Sequence, residues 1–206
     1  MNTLFLLFAL LASMLASPQE DQHQHAQASS TQTASAPKAT APKTEAQKSF
    51  DLVKSFAGEW QGPATVDPPM PQMTGDQKNT LHVSMRVTSR GHALVHELQE
   101  SDTPLDFTKY DHPVTMIYLN DDGLNLIHYC DAGNRPRMVA KASPDGKTVE
   151  FELQDISGST KFGHMHHAVF TYIDENHHWE DWTYMLPGDK PIHAHFDLRR
   201  TQIAQK

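Results

Sequence analysis

Two short histidine clusters mark the 206-residue chain, "GHMHH" at 163–167 and "HAH" at 193–195. Imidazole nitrogens ligate transition metals and exchange protons near neutral pH, so these clusters raise metal, haem and acid–base chemistry together. A metal site needs at least three donors aimed at one point. Strand geometry limits which histidines can cooperate, because side chains i and i+2 share a face while i+1 points the other way. On that rule His164 and His166 act together, on a face continued by Ala168, Phe170 and Tyr172, and His167 faces away. In "IHAHFDL" (192–198) the apolar face is Ile192, Ala194, Phe196 and Leu198, which turns His193 and His195 outward. The two clusters fall on opposite sides of one wall, and no metal site is assigned to them.

The same parity sorts the remaining chemistry. His128 and Cys130 share a face with Leu124 and Leu126, and His96 shares one with Leu94 and Leu98. Trp182, Tyr184 and Leu186 are expected inside, with Asp181 and Thr183 outside, and Met85 and Met138 are expected on the inner surface. The candidate ligand contacts are His96, His128, Met138, His164, His166, Trp182, Tyr184 and Arg137. Arg135 and Arg137 bracket Pro136. Their guanidinium forks match a carboxylate, either on a ligand at a pocket mouth or on Asp131 and other loop acids. No catalytic residue is assigned. Cys130 is the single cysteine, so no intramolecular disulfide forms. Its neighbour His128 lies two residues away, roughly 6.5–7 Å along a strand, too far for a direct nucleophile–base pair. A buried, inert thiol is the expectation. His112, His177 and His178 lie beside turns and are expected in solvent. Phosphate-binding glycine loops, a Gly-x-Ser-x-Gly elbow and a His-Glu-x-x-His helix are all missing from the sequence.

These residues need a scaffold of strands. Turn signals recur at "SRGH" (89–92), "NDDG" (120–123), "SPDG" (143–146), "DEN" (174–176) and "PGD" (187–189). Between and around them lie ten runs of alternating or apolar character: 58–66, 81–87, 92–98, 114–119, 124–130, 137–142, 148–154, 167–173, 179–186 and 192–198. A short helical piece, "EAQKSFDLVKSF" (45–56), precedes them, and no helical period interrupts them. The pattern predicts an all-β fold, an antiparallel up-and-down barrel of about ten strands with a short N-terminal helix. Closure removes both sheet edges, which favours the barrel over a β-sandwich.

The ends of the chain are of different character. Residues 3–16 form an apolar run too short for a membrane span of roughly 20 residues, and residues 1–17 are read as a signal peptide. Residues 18–46 are rich in Gln, Ala, Ser, Thr, Pro and Lys, and are read as a disordered tether. The barrel domain is expected over 47–202, with a tail at 203–206. The formal net charge of −8, without a basic block, argues against a nucleic-acid partner. A secreted or periplasmic location follows from the leader, and oligomeric state is left open.

"FAGEWQG" (56–62), after a short helix and opening the first strand, resembles the Gly-x-Trp start of calycin-like barrels. That group includes lipocalins, fatty-acid-binding proteins and nitrobindin-like haem barrels. "GLNLIHYCDAGNRPRM" (123–138) and "GHMHHAVFTYIDENHHWEDW" (163–182) are similar to a group of exported bacterial proteins of unknown function with such a barrel. The resemblance implies that Trp60 plugs the closed end. It also implies, as an alternative, haem held by a histidine of the last strand, His193 or His195. The leading expectation is an exported barrel that binds a small, partly apolar ligand in its interior, with no cofactor. An enzyme using His128, His164 or His166 as acid or base is a further alternative.

Overall fold

A computed structural model describes residues 42–69, 80–121, 123–141, 143 and 145–201. The expected signal peptide and tail, and the tether up to residue 41, lie outside the described residues. Helix α1 (Glu45–Ser55) starts where Thr44 accepts a hydrogen bond from the Gln47 backbone N–H on its side-chain oxygen at 3.1 Å. That bond satisfies one of the donors a helix N-terminus leaves open. Its inner face is Ser49, Phe50 and Val53.

Ten strands follow: β1 (Gly58–Asp67), β2 (Thr80–Thr88), β3 (Ala93–Glu100), β4 (Val114–Asn120), β5 (Gly123–Tyr129), β6 (Arg135–Ala140), β7 (Thr148–Ser157), β8 (His164–Asp174), β9 (His177–Leu186) and β10 (Lys190–Arg200). Each pairs antiparallel with the next, and β10 pairs with β1, so the sheet closes as a barrel. The expected fold class is therefore the observed one, and closure excludes the sandwich.

The barrel has two different ends. At one, the β2–β3, β4–β5 and β8–β9 connections are tight, and α1 packs against β4 and β5. Phe50, Phe56 and Trp60 are fully buried there, and the Trp60 indole N–H donates to the Phe56 carbonyl at 2.7 Å. The Arg200 guanidinium lies 4.1 Å from the centre of the Trp60 ring, a cation–π contact, and also donates to the Ala57 carbonyl at 2.8 Å. At the other end, loop 101–113 joins β3 to β4 and segments 130–134 and 158–163 join the next two strand pairs. Loop 101–113 carries the most exposed apolar side chains, Leu105 and Phe107. Among the described residues no helix is long and apolar enough to cross a membrane.

At Gly62 the backbones of β1 and β10 come close together. A Cβ at residue 62 would be driven into the backbone carbonyl of Asp197 on β10. Backbone cannot yield as a flexible side chain can. Gly62→Ala should therefore lower stability by about 2 kcal/mol or more. Urea unfolding measures this, and an alanine variant as stable as the parent would show that the β1–β10 seam tolerates separation.

Candidate functional site

Glu180 lies on the inner face of β9 and is fully buried. It belongs there by parity, since residues 178, 180, 182 and 184 point the same way. Three donors surround its carboxylate. His96 Nε2 reaches Oε2 at 3.0 Å, His178 Nε2 reaches Oε1 at 3.0 Å, and the Trp182 indole N–H donates to Oε2 at 2.9 Å. His96 belongs to β3, which is not hydrogen-bonded to β9, so this contact crosses the barrel interior. Burial by itself would raise the Glu180 pKa, and that is the largest single effect. The charge on His96 and the hydrogen bonds from His178 and His96 together outweigh it, and hold the carboxyl well below its usual range.

An ionised carboxylate only accepts, so both imidazoles must carry hydrogen on Nε2. Their Nδ1 atoms are buried and have no partner. His178 sits against the closed end, stacked on Phe56 with ring centres 4.7 Å apart and edge-on to Trp60 at 4.2 Å. His96 faces the other way and lines a cavity of about 250 Å³.

That cavity opens towards loop 101–113. Its wall is largely apolar, with Leu98, Met165, Trp182, Ile192 and Phe196 on it. His128 lines it beside His96. The two residues face Thr115 of β4 from either side, since Thr115 pairs with His96 on β3 and with His128 on β5. Thr115 Oγ1 and His128 Nδ1 are 2.8 Å apart, and His128 Nε2 is buried without a partner. Burial, followed by the charge of His96, pushes the His128 pKa down from its usual 6.5 to about 3. It is neutral at physiological pH. Tyr184 stands nearer the mouth, its hydroxyl donating to the Phe162 carbonyl at 3.0 Å.

Other sequence expectations land elsewhere. His164 and His166 are not on the cavity wall, and Met165 is. The register between β8 and β9 shifts between Met165 and His167, leaving His166 as the extra residue of a bulge. One added residue inverts every facing before it, so strand parity counted from Phe170 fails at His164. The two imidazoles are half-buried and meet each other, Nε2 to Nδ1, at 3.3 Å. Met138 is fully buried in the core without lining the cavity. Arg137 donates to Asp155 at 2.6 and 2.9 Å and to Asn125 Oδ1 at 2.9 Å, so a cross-strand acid takes its fork. His178 and His177 are buried, contrary to the expectation of solvent, because β9 begins at His177 immediately after the turn. His112 is half-buried. Glu180 was missed in the sequence reading, although its parity with Trp182 was the available signal.

Two further groups sit outside the barrel. His193 and His195 meet Thr183 Oγ1 at 3.1 Å and Asp181 at 2.7 Å, and neither lines the interior cavity. Neither His193 nor His195 is therefore placed to ligate a group inside the cavity. His167 converges with Glu150 and Glu152, a donor set of the size a cation needs. Lys141 already bonds Glu152 there at 2.5 Å and supplies the positive charge.

Two measurements check these assignments. Glu180→Ala removes the acceptor for three buried donors, and unfolding at neutral pH should show a loss of about 3–5 kcal/mol. A loss below 1 kcal/mol would mean that the donors find water. His128 is neutral in the folded chain, whereas the unfolded chain protonates it near 6.5. Its contribution to stability is therefore complete above pH 6.5 and is lost as the pH falls towards 3. In His128→Phe the fall in unfolding free energy with acidification should be shallower, by up to about 1.4 kcal/mol per pH unit. An unchanged slope would show that His128 already ionises in the fold.

Known proteins offer similarity at the level of fold. No protein-family model matches the chain, and no curated protein does. Among solved structures it is similar to a protein of unknown function of the DUF3598 family from Nostoc punctiforme. The identity is 9% and the TM-score 0.47, over 72% of this chain and 48% of that one, so this chain spans about half that protein's length. It is also similar to Rv2717c from M. tuberculosis, at 15% identity and a TM-score of 0.52, over 74% of this chain and 97% of that one. The second likeness shows a shared barrel fold.

Proposed function

We propose that this barrel takes up a small, partly apolar molecule in its interior. One observation carries the reading. A cavity of about 250 Å³ opens at one end of the barrel, walled by apolar side chains, while His96 and His128 on its lining keep buried ring nitrogens without protein partners. Small-molecule sites have this composition, mostly apolar with a few polar groups that fix orientation. The volume sets the scale of the ligand. An apolar void of about 150 Å³ admits benzene, so this one suits a single ring with a short polar chain.

The calycin resemblance and the barrel fold shared with Rv2717c support the reading without supplying a ligand. A neutral probe, 2-phenylethanol, tests it. Titration followed by tryptophan fluorescence and by saturation-transfer NMR should show saturable binding with Kd on the order of a millimolar or tighter. Ala194 lines the cavity on β10, and Ala194→Phe fills the space from the wall. This variant should keep its thermal stability and lose the probe. Absence of binding to the parent chain, or equal binding to the variant, would overturn interior uptake.

A further inference from the structure

The cavity mouth differs in character from its wall. Asp111, at the end of loop 101–113, and Asp131, just after β5, both line the cavity where it opens. The same two residues line an outer hollow of about 500 Å³ bounded by Phe107 and Tyr129, so they flank the passage between solvent and interior. Asp111 and Asp131 lie close enough together for the charge of one to act on the other. Among the described residues no lysine or arginine pairs with either. Lys109 also lines the outer hollow, where its ammonium group meets Asp106 at 3.6 Å. His112 is the remaining titratable neighbour on the loop, and its Nε2 is buried without a partner.

Resting on the interior-uptake reading, we propose that the mouth selects a cation. The ligand is a small apolar amine, with its hydrocarbon body against Leu98, Trp182 and Ile192 and its ammonium group between Asp111 and Asp131. After burial, the two carboxylates act on three groups at this point. Burial, then the charge of Asp131, raises the Asp111 carboxyl. Burial raises the Cys130 thiol, and Asp111 and Asp131 add to it. Burial likewise raises the Tyr184 hydroxyl, with Cys130, Asp131 and Asp111 contributing. An ammonium group placed here relieves that repulsion, and the low-dielectric wall behind it focuses the attraction. The second independent feature is His128, whose unpartnered and buried Nε2 lies on the same cavity. A hard metal ion is a poorer match. Calcium takes six to eight oxygens and magnesium an octahedron, whereas the mouth supplies two carboxylates above an apolar wall.

Three near-isosteric probes separate these ideas: 2-phenylethylamine, 2-phenylethanol and phenylacetate, titrated calorimetrically into the full chain at pH 7 and low salt. The amine should bind about fivefold tighter than the alcohol, the scale expected of two partly exposed charge pairs, and phenylacetate should bind most weakly. In the double variant Asp111→Asn/Asp131→Asn the three affinities should converge to within about twofold, while the alcohol binds as before. An amine no tighter than the alcohol overturns the cation preference and leaves interior uptake standing. A preference that survives in the double variant also overturns it. Failure of all three probes removes both readings. Saturable binding of calcium chloride, abolished in the double variant and without amine preference, would assign the mouth to a metal instead.

Discussion

The arrangement inside this barrel turns on one buried negative charge. Moving a carboxylate out of water costs several kcal/mol even after the surroundings relax. Glu180 is tolerable only because His96, His178 and Trp182 converge on it. Its compensation is the convergence of these three donors, so the cluster behaves as one hydrogen-bonded unit. That unit ties together parts of the fold that share no backbone ladder. His96 links β9 to the wall of β3, and His178 carries the contact to Phe56 and Trp60 beneath α1. The closed end and the cavity therefore share an electrostatic anchor.

The anchor also dictates what the cavity presents. With both Nε2 atoms committed to Glu180, His96 is fixed in ring orientation and its Nδ1 is left over. His128 is placed differently. Its Nδ1 meets Thr115 and its ring lies 5.5 Å from that of Trp182, and burial together with the nearby charge of His96 keeps it neutral. Two imidazoles flanking one threonine thus differ in role, one donating to a buried carboxylate and one a neutral hydrogen-bonding group. Identical side chains acquire separate roles from their neighbours alone.

Alternation of apolar residues was enough to place all ten strands and the inward direction of His96, His128, Trp182 and Tyr184, because closure makes every strand obey the same two-residue period. It misled where that period breaks. The extra residue in β8 has no signature in "GHMHH", since His, Met and His alternate as plausibly in either phase. His178 departs from expectation for another reason: it follows a turn closely, yet it shares the inward parity of Trp182. Glu180 lay on that same face, but an acidic residue on an inner wall reads as an error until its partners are known. One of them, His96, is 84 positions away. Arg137 shows the complementary difficulty, because its partner Asp155 is set by strand register and not by nearness in sequence.

Charge is distributed along the barrel axis in a way that gives a bound molecule a direction. In the deep interior the Glu180 carboxylate is already engaged by three donors, so a cation there would have to displace His96, His178 or Trp182. At the mouth Asp111 and Asp131 have no lysine or arginine partner among the described residues, and water can still reach them. A charged head left at the mouth keeps part of its hydration, whereas one driven to the deep end would lose all of it. The apolar wall between the two ends rewards only hydrocarbon. In the proposed pose the head therefore stays outward and the body points at His128, whose neutral ring can meet a weakly polar group without a charge to desolvate.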